Sequence, residues 1–171
     1  MSAESFSIRP ACAEDVSFLT DMLIEAVLWR PGRHLDREQI LSSPDLAHYI
    51  AGWPREDDYG VIAEASGVPI GAAWLRLMQA HEPGYGFVAP DVPELSIAVV
   101  AAWRGHGVGR ALLRALVAQA RALGTARMSL SVERANRAAQ ALYEDEGFRV
   151  ISSSPNADTM VLNLPPADED M

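Results

Sequence analysis

The spacing of hydrophobic positions along this chain changes several times, and each change marks a new element. Leu95-Ser96-Ile97-Ala98-Val99-Val100 is a short apolar run opened by Pro93, the pattern of a strand buried on both faces. Downstream, Val108, Leu112, Leu113, Leu116, Val117 and Ala120 recur at helical spacing, Arg110, Arg114 and Arg121 fall between them, and Gly124 supplies a stop. Residues 126–132 alternate, with Met128, Leu130 and Val132 on one face and Arg127, Ser129 and Ser131 on the other, which predicts a further strand. A helix follows from a cap at Asn136 to a stop at Gly147, although Glu144, Asp145 and Glu146 in its last turn oppose the dipole.

Earlier in the chain, Ser5 to Arg9 predicts a strand, and Glu14 to Leu28 a helix with Val16, Leu19, Leu23 and Val27 on its inner stripe. Residues 29–58 contain Pro-Gly at 31–32 and Ser-Ser-Pro at 42–44, and predict one short helix between Asp45 and Ile50. Tyr59 to Ala65 and Ile70 to Met78 predict a hairpin around Ser66-Gly67-Val68-Pro69. Residues 79–92, with Pro83-Gly84-Tyr85-Gly86 and Pro90, predict loop, and Phe148 to Ser152 with Thr159 to Leu164 predict a closing antiparallel pair. The order of elements predicts one α/β domain over residues 1–164, without internal repeats. A Pro-Pro-led acidic tail at 165–171 is expected to be disordered.

Chemistry concentrates where the first apolar run meets the arginine-bearing helix, at Arg104-Gly105-His106-Gly107-Val108-Gly109-Arg110. Glycines let this backbone approach a ligand, and the first N–H groups of the following helix have no internal partner. With the positive end of the dipole behind them and Arg104 and Arg110 beside them, a phosphate or pyrophosphate is the natural occupant. A glycine turn with exposed arginines is the plainer alternative. The Walker phosphate loop is excluded by the missing Gly-Lys-Ser/Thr ending, and the dinucleotide fingerprint by a third glycine one residue early.

The loop instead meets the pattern Gln/Arg-x-x-Gly-x-Gly/Ala at Arg104, Gly107 and Gly109, and there the chain resembles the GNAT superfamily of N-acetyltransferases. A second block resembles the same family's Asn-x-x-Ala-x-x-Leu-Tyr-x-x-x-Gly-Phe signature, matched at Asn136, Ala139, Leu142, Tyr143, Gly147 and Phe148. The resemblance covers about residues 5–164 and is specific from 93 to 148. It implies a mixed, strongly twisted central sheet flanked by helices, with a splayed parallel strand pair. It also implies acetyl-CoA as co-substrate, its pyrophosphate on Arg104, Gly105, His106, Gly107, Val108, Gly109 and Arg110, and its pantetheine arm on backbone groups near Ile97 and Val99. The implied activity is acetyl transfer to a primary amine by direct attack in a ternary complex. A non-catalytic acyl-CoA-binding module with the same fold is the alternative function.

Acetyl transfer needs an uncharged amine, a stabilised oxyanion and a departing thiolate. Glu94, at the start of the central strand where the family often places a base, is the candidate to draw a proton through water; an ordinary strand-end carboxylate is the alternative. Tyr143 matches the family's helical tyrosine, which hydrogen-bonds or protonates the leaving sulfur; an aromatic anchor between helix and sheet is the alternative. Asn136 reads both as a helix cap and as a cofactor contact. On the acceptor side, Trp29, Trp53 and Tyr85 are candidates for an aromatic wall, with Asp57 or Asp58 attracting an ammonium group.

Composition narrows the setting. The chain has 171 residues, 49% of them hydrophobic, enough for one substantial core. Its formal net charge of −9 disfavours nucleic acid and favours small amine or peptide and protein amine acceptors, although acidity also serves solubility. No run reaches membrane-spanning length and Met1 to Pro10 does not resemble a signal peptide, so a cytoplasmic protein without a membrane partner is expected. Cys12, the lone cysteine, is expected to pack rather than react, and histidines at 34, 48, 81 and 106 show no metal-ligand spacing. A homodimer is compatible with all of this.

Overall fold

The structure is a computed structural model that describes residues 5–29 and 36–165. His34, the Pro-Gly at 31–32 and all of the acidic tail except Pro165 lie outside the described residues. Seven strands form the sheet: β1 (Ser7–Pro10), β2 (Tyr59–Ala65), β3 (Val68–Arg76), β4 (Glu94–Val99), β5 (Arg127–Glu133), β6 (Arg149–Ser153) and β7 (Ala157–Asn163). Their order is β1-β2-β3-β4-β5-β7-β6. Most pairs are antiparallel, while β4 and β5 run parallel with Glu94 opposite Ser129. Helices α1 (Val16–Val27), α2 (Arg37–Ser42), α3 (Pro44–Ala47), α4 (Val108–Ala122) and α5 (Arg137–Asp145) accompany the sheet. This is the mixed α/β architecture expected from the sequence.

Contacts gather the chain into two compact units, residues 1–74 with 96–116 and residues 75–95 with 117–171. The core of the first contains Leu19, Met22 and Leu23 of α1, Ile40 of α2, Ile62 of β2 and Trp74 of β3. The Trp74 indole is anchored by donating to the Tyr49 carbonyl at 3.0 Å. Arg9 on β1 bridges Asp15 and Glu64, and its guanidinium holds the Asp15 carboxyl down at about 2. Cys12 is exposed rather than packed. Its hydrogen bonds to Glu14 and Asp15 push its thiol up, away from thiolate character, so it is not activated.

The second unit is built on the antiparallel pairs β5·β7 and β6·β7, with Met128, Leu130, Phe148 and Met160 buried. Helix α5 starts and stops as its sequence predicts. The Asn136 carboxamide accepts from the Ala139 N–H at 3.2 Å, and Gly147 closes the helix at φ +103°. Several local readings change: Val16, expected on the inner stripe of α1, is exposed, and Val68 and Pro69, expected in the hairpin turn, open β3. Helix α2 is absent from the sequence prediction, and the short helix expected at Asp45–Ile50 is found at Pro44–Ala47, where Pro44 takes the first helical position.

Candidate active site

The anion loop lies wholly in the first unit, and close packing behind it sets its position. A Cβ built on Gly71 of β3 would lie 3.0 Å from a Leu112 methyl, 3.2 Å from the Ala98 carbonyl oxygen and 3.3 Å from a Val108 methyl. Glycine at 71 therefore lets the first turns of α4 lie tightly against β3 and β4. Val108, Leu112 and Leu113 are buried, so the start of α4 is rigidly held. Ahead of it, Gly105 and Gly107 take φ of +79° and +83°, and among the described residues no atom beyond the chain neighbours lies within 4 Å of the place where either would carry a Cβ. These are turn conformations that side chains disfavour, opening onto clear space.

As α4 begins at Val108, the Ala111 N–H donates to the Gly107 carbonyl at 3.1 Å, so the N–H groups of Val108 and Gly109 stand at the helix mouth ahead of that bond. No acidic residue stands in the first turn to cancel the dipole. Arg104 is half-exposed, and its guanidinium donates to Glu25 at 2.9 Å and more weakly to the Val99 carbonyl at 3.4 Å. The exposed His106 ring leans on Trp103 at 5.3 Å. Ile97 and Val99 are half-buried on β4. Backbone donors, dipole and arginines together fit a pyrophosphate, and therefore fit the phosphate end of acetyl-CoA.

The candidate catalytic groups lie in the second unit. Glu94 is only 2% exposed, and its Oε2 accepts the Gly86 N–H at 3.1 Å. Gly86 in turn rests on β5: a Cβ there would lie 2.5 Å from the Leu130 carbonyl carbon and 2.7 Å from the Ser131 nitrogen. That separation is impossible for any other residue without backbone movement, so the Pro83–Phe87 loop is fitted to β5 and carries the amide that orients the carboxylate. Ser129, opposite Glu94, is also fully buried. The structure thus brings Gly86, Glu94 and Ser129 together. Neither Gly86 nor Ser129 was singled out from sequence, since Gly86 read as an ordinary loop glycine and alternation put Ser129 on the polar face of β5.

Tyr143 is 8% exposed, with its ring 5.7 Å from that of Phe148. Burial pushes its phenol up, which makes it a poorer acid and leaves it a competent hydrogen-bond donor. Among the proposed acceptor-side aromatics, Trp53 is 9% exposed and its indole donates to the Cys12 carbonyl at 3.0 Å. Trp29 is half-buried, and Tyr85 is 61% exposed in the loop that carries Gly86.

Comparisons with known proteins bear on the family and the fold. The family model described as Acetyltransferase (GNAT) family matches residues 23–148. Mycothiol acetyltransferase of Thermobispora bispora is 36% identical over 87 residues, 51% of this chain. The chain spans only 28% of that curated relative's length. Among solved structures, a putative acetyltransferase from Salmonella typhimurium with its cofactor acetyl-CoA is 27% identical, with a TM-score of 0.67 over 94% of each chain. The ribosomal-protein-S18-alanine N-acetyltransferase of Escherichia coli shares the fold at 21% identity and a TM-score of 0.66, covering 98% of this chain and 99% of that one.

Proposed function

The chain belongs to the GNAT acetyltransferase family, and from that premise we propose that it transfers the acetyl group of acetyl-CoA to a primary amine by direct attack in a ternary complex. The observation that carries the catalytic reading is the Glu94 carboxylate, buried and oriented by the Gly86 N–H. A module that only bound the cofactor would have no use for a carboxylate held this way.

Acetyl-CoA supplies the activated thioester. The residues 104–110 hold its pyrophosphate through the N–H groups at the start of α4 and the arginine charges, and backbone groups at Ile97 and Val99 hold the pantetheine arm. Asn136, whose carboxamide oxygen already caps α5, contributes a further cofactor contact. Glu94 accepts a proton from the incoming ammonium through water, which frees the nitrogen lone pair for attack. Tyr143 donates a hydrogen bond to the departing sulfur. Full proton transfer from an unperturbed phenol to a thiolate is uphill by about 2 kcal/mol, and burial of Tyr143 makes it worse.

The acceptor is a small amine or a peptide or protein amine, favoured by the net charge of −9, and the exposed Tyr85 is its candidate aromatic contact, whereas Trp53 is buried with its indole bonded to the Cys12 carbonyl. The protein acts in the cytoplasm, without nucleic acid or membrane as partner. The test is thiol release from acetyl-CoA against a panel of polyamines, amino acids, aminoglycosides and an alanine-terminated peptide, in the wild type and Glu94→Gln. Acceptor-dependent release that falls by about a hundredfold in Glu94→Gln and loses its acidic limb is expected. Tight acetyl-CoA binding without acceptor-dependent release would favour the binding module, and an unchanged rate and limb in Glu94→Gln would remove the base.

A further inference from the structure

Ser129 lies directly across the parallel pair from Glu94, and residues paired in register project from the same face of a sheet. It is wholly buried, and its hydroxyl has no hydrogen-bond partner among the described protein groups. Its backbone needs no help from that hydroxyl, since the Ser129 N–H already donates to the Pro93 carbonyl at 3.0 Å. A buried hydroxyl left unsatisfied is destabilising. Alanine at this position would avoid the cost at almost the same volume. An ordered water supplies the partner that the described protein groups do not.

The neighbouring carboxylate says what that partner is. Directly paired strand residues have Cβ atoms about 5 Å apart, a separation that one water bridges between a serine hydroxyl and a carboxylate. The Gly86 N–H holds Oε2 of Glu94 at 3.1 Å, which restricts how the carboxylate on the strand paired with Ser129 can turn.

We propose that Ser129 and Glu94 hold one water between them and that this water carries the proton of the acceptor ammonium to Glu94. The proposal rests on the reading of Glu94 as general base. The ammonium N–H bond breaks as its proton passes to the water oxygen, and a water O–H bond breaks as that proton joins a Glu94 oxygen. The nitrogen keeps the electron pair with which it attacks, water is regenerated, and Glu94 ends neutral. Ser129 donates its O–H to the water oxygen and directs the opposite lone pair outward, so it is a positioning residue.

Two measurements test this. Crystals of the protein with coenzyme A, at a resolution that shows ordered water, should hold a water within hydrogen-bonding distance of both Ser129 Oγ and a Glu94 oxygen. Absence of that water, or a Ser129 hydroxyl turned onto a backbone carbonyl, overturns the proposal. A double-mutant cycle on the panel amine that supports turnover supplies the second. Ser129→Ala should lower kcat by about tenfold, leave KM for acetyl-CoA unchanged and leave Tm equal or higher, a combination that a structural serine does not produce. The same substitution should cost nothing more in Glu94→Gln. Additive losses overturn the relay, and so does Ser129→Ala at wild-type kcat beside a slow Glu94→Gln. Glu94→Gln at wild-type kcat removes the base itself, which separates failure of the earlier reading from failure of this one.

Discussion

The loop at 104–110 and the buried cluster around Glu94 each depend on a glycine, and the two glycines are there for opposite reasons. Gly107 has φ +83° and open space where its Cβ would be, so glycine is required by the backbone turn and not by packing. Gly86 is required because β5 backbone lies 2.5 Å from its missing Cβ. One region is shaped for something that arrives; the other is shaped by what the chain already contains. The proposed cofactor cradle is consequently made from seven contiguous residues, whereas the buried cluster is assembled from positions 86, 94 and 129–131.

The largest effects should fall on the contiguous region. Gly107→Asp places a side chain at positive φ and a carboxylate at the helix mouth, where the dipole and the arginines favour a phosphate. Coenzyme A affinity should drop by more than about a hundredfold, read by titration calorimetry, with far-ultraviolet circular dichroism unchanged because nothing packs against the site. Binding within threefold of wild type would mean that the loop does not grip the cofactor. Gly86→Ala should behave in the reverse way. Coenzyme A binding should persist, while overpacking against β5 costs about 1–3 kcal/mol of stability and kcat falls by tens of fold as the Glu94 amide donor moves. Retained kcat and Tm would show that the fit between this loop and β5 is slack.

Tyr143→Phe sharpens the comparison inside the second unit by removing only a hydroxyl from a buried ring. A hydrogen bond to the leaving sulfur predicts about a tenfold fall in kcat with KM and Tm nearly unchanged. A lower Tm with normal kcat would make the tyrosine an anchor of α5, like its neighbour Phe148.

The same contrast explains what could be read from the chain alone. Strand–loop–helix around 94–122 was legible because apolar period, glycine and helix stop are all local, and α5 because Asn136 and Gly147 sit at its two ends. Helix α2 was missed because six residues are too few to show a period. Its signal was nonetheless present, in the reciprocal cap between Asp36 and Gln39. Long-range fits leave no such trace. Nothing near Trp53 in sequence announces that its indole bonds to the carbonyl of Cys12, 41 residues earlier. Ser129 obeys the alternation of β5 and is still buried, because burial of its face depends on what is brought over it.

The smallest expected effect concerns the ion pair between Arg104 and Glu25. Arg104 Nη2 lies 2.9 Å from Glu25 on α1, with the two side chains 50% and 41% exposed. A pair so open to solvent is worth at most about 1 kcal/mol, yet its carboxylate competes with phosphate for the same guanidinium. Glu25→Gln should therefore tighten coenzyme A binding by about two- to fivefold at low salt, with the gain shrinking as ionic strength rises. If affinity weakens instead, Glu25 holds Arg104 in its binding posture rather than competing with the ligand. Unchanged affinity at every salt concentration would confine the loop's grip to its backbone N–H groups, and the contiguous region would then owe its specificity to conformation with no contribution from this arginine's charge.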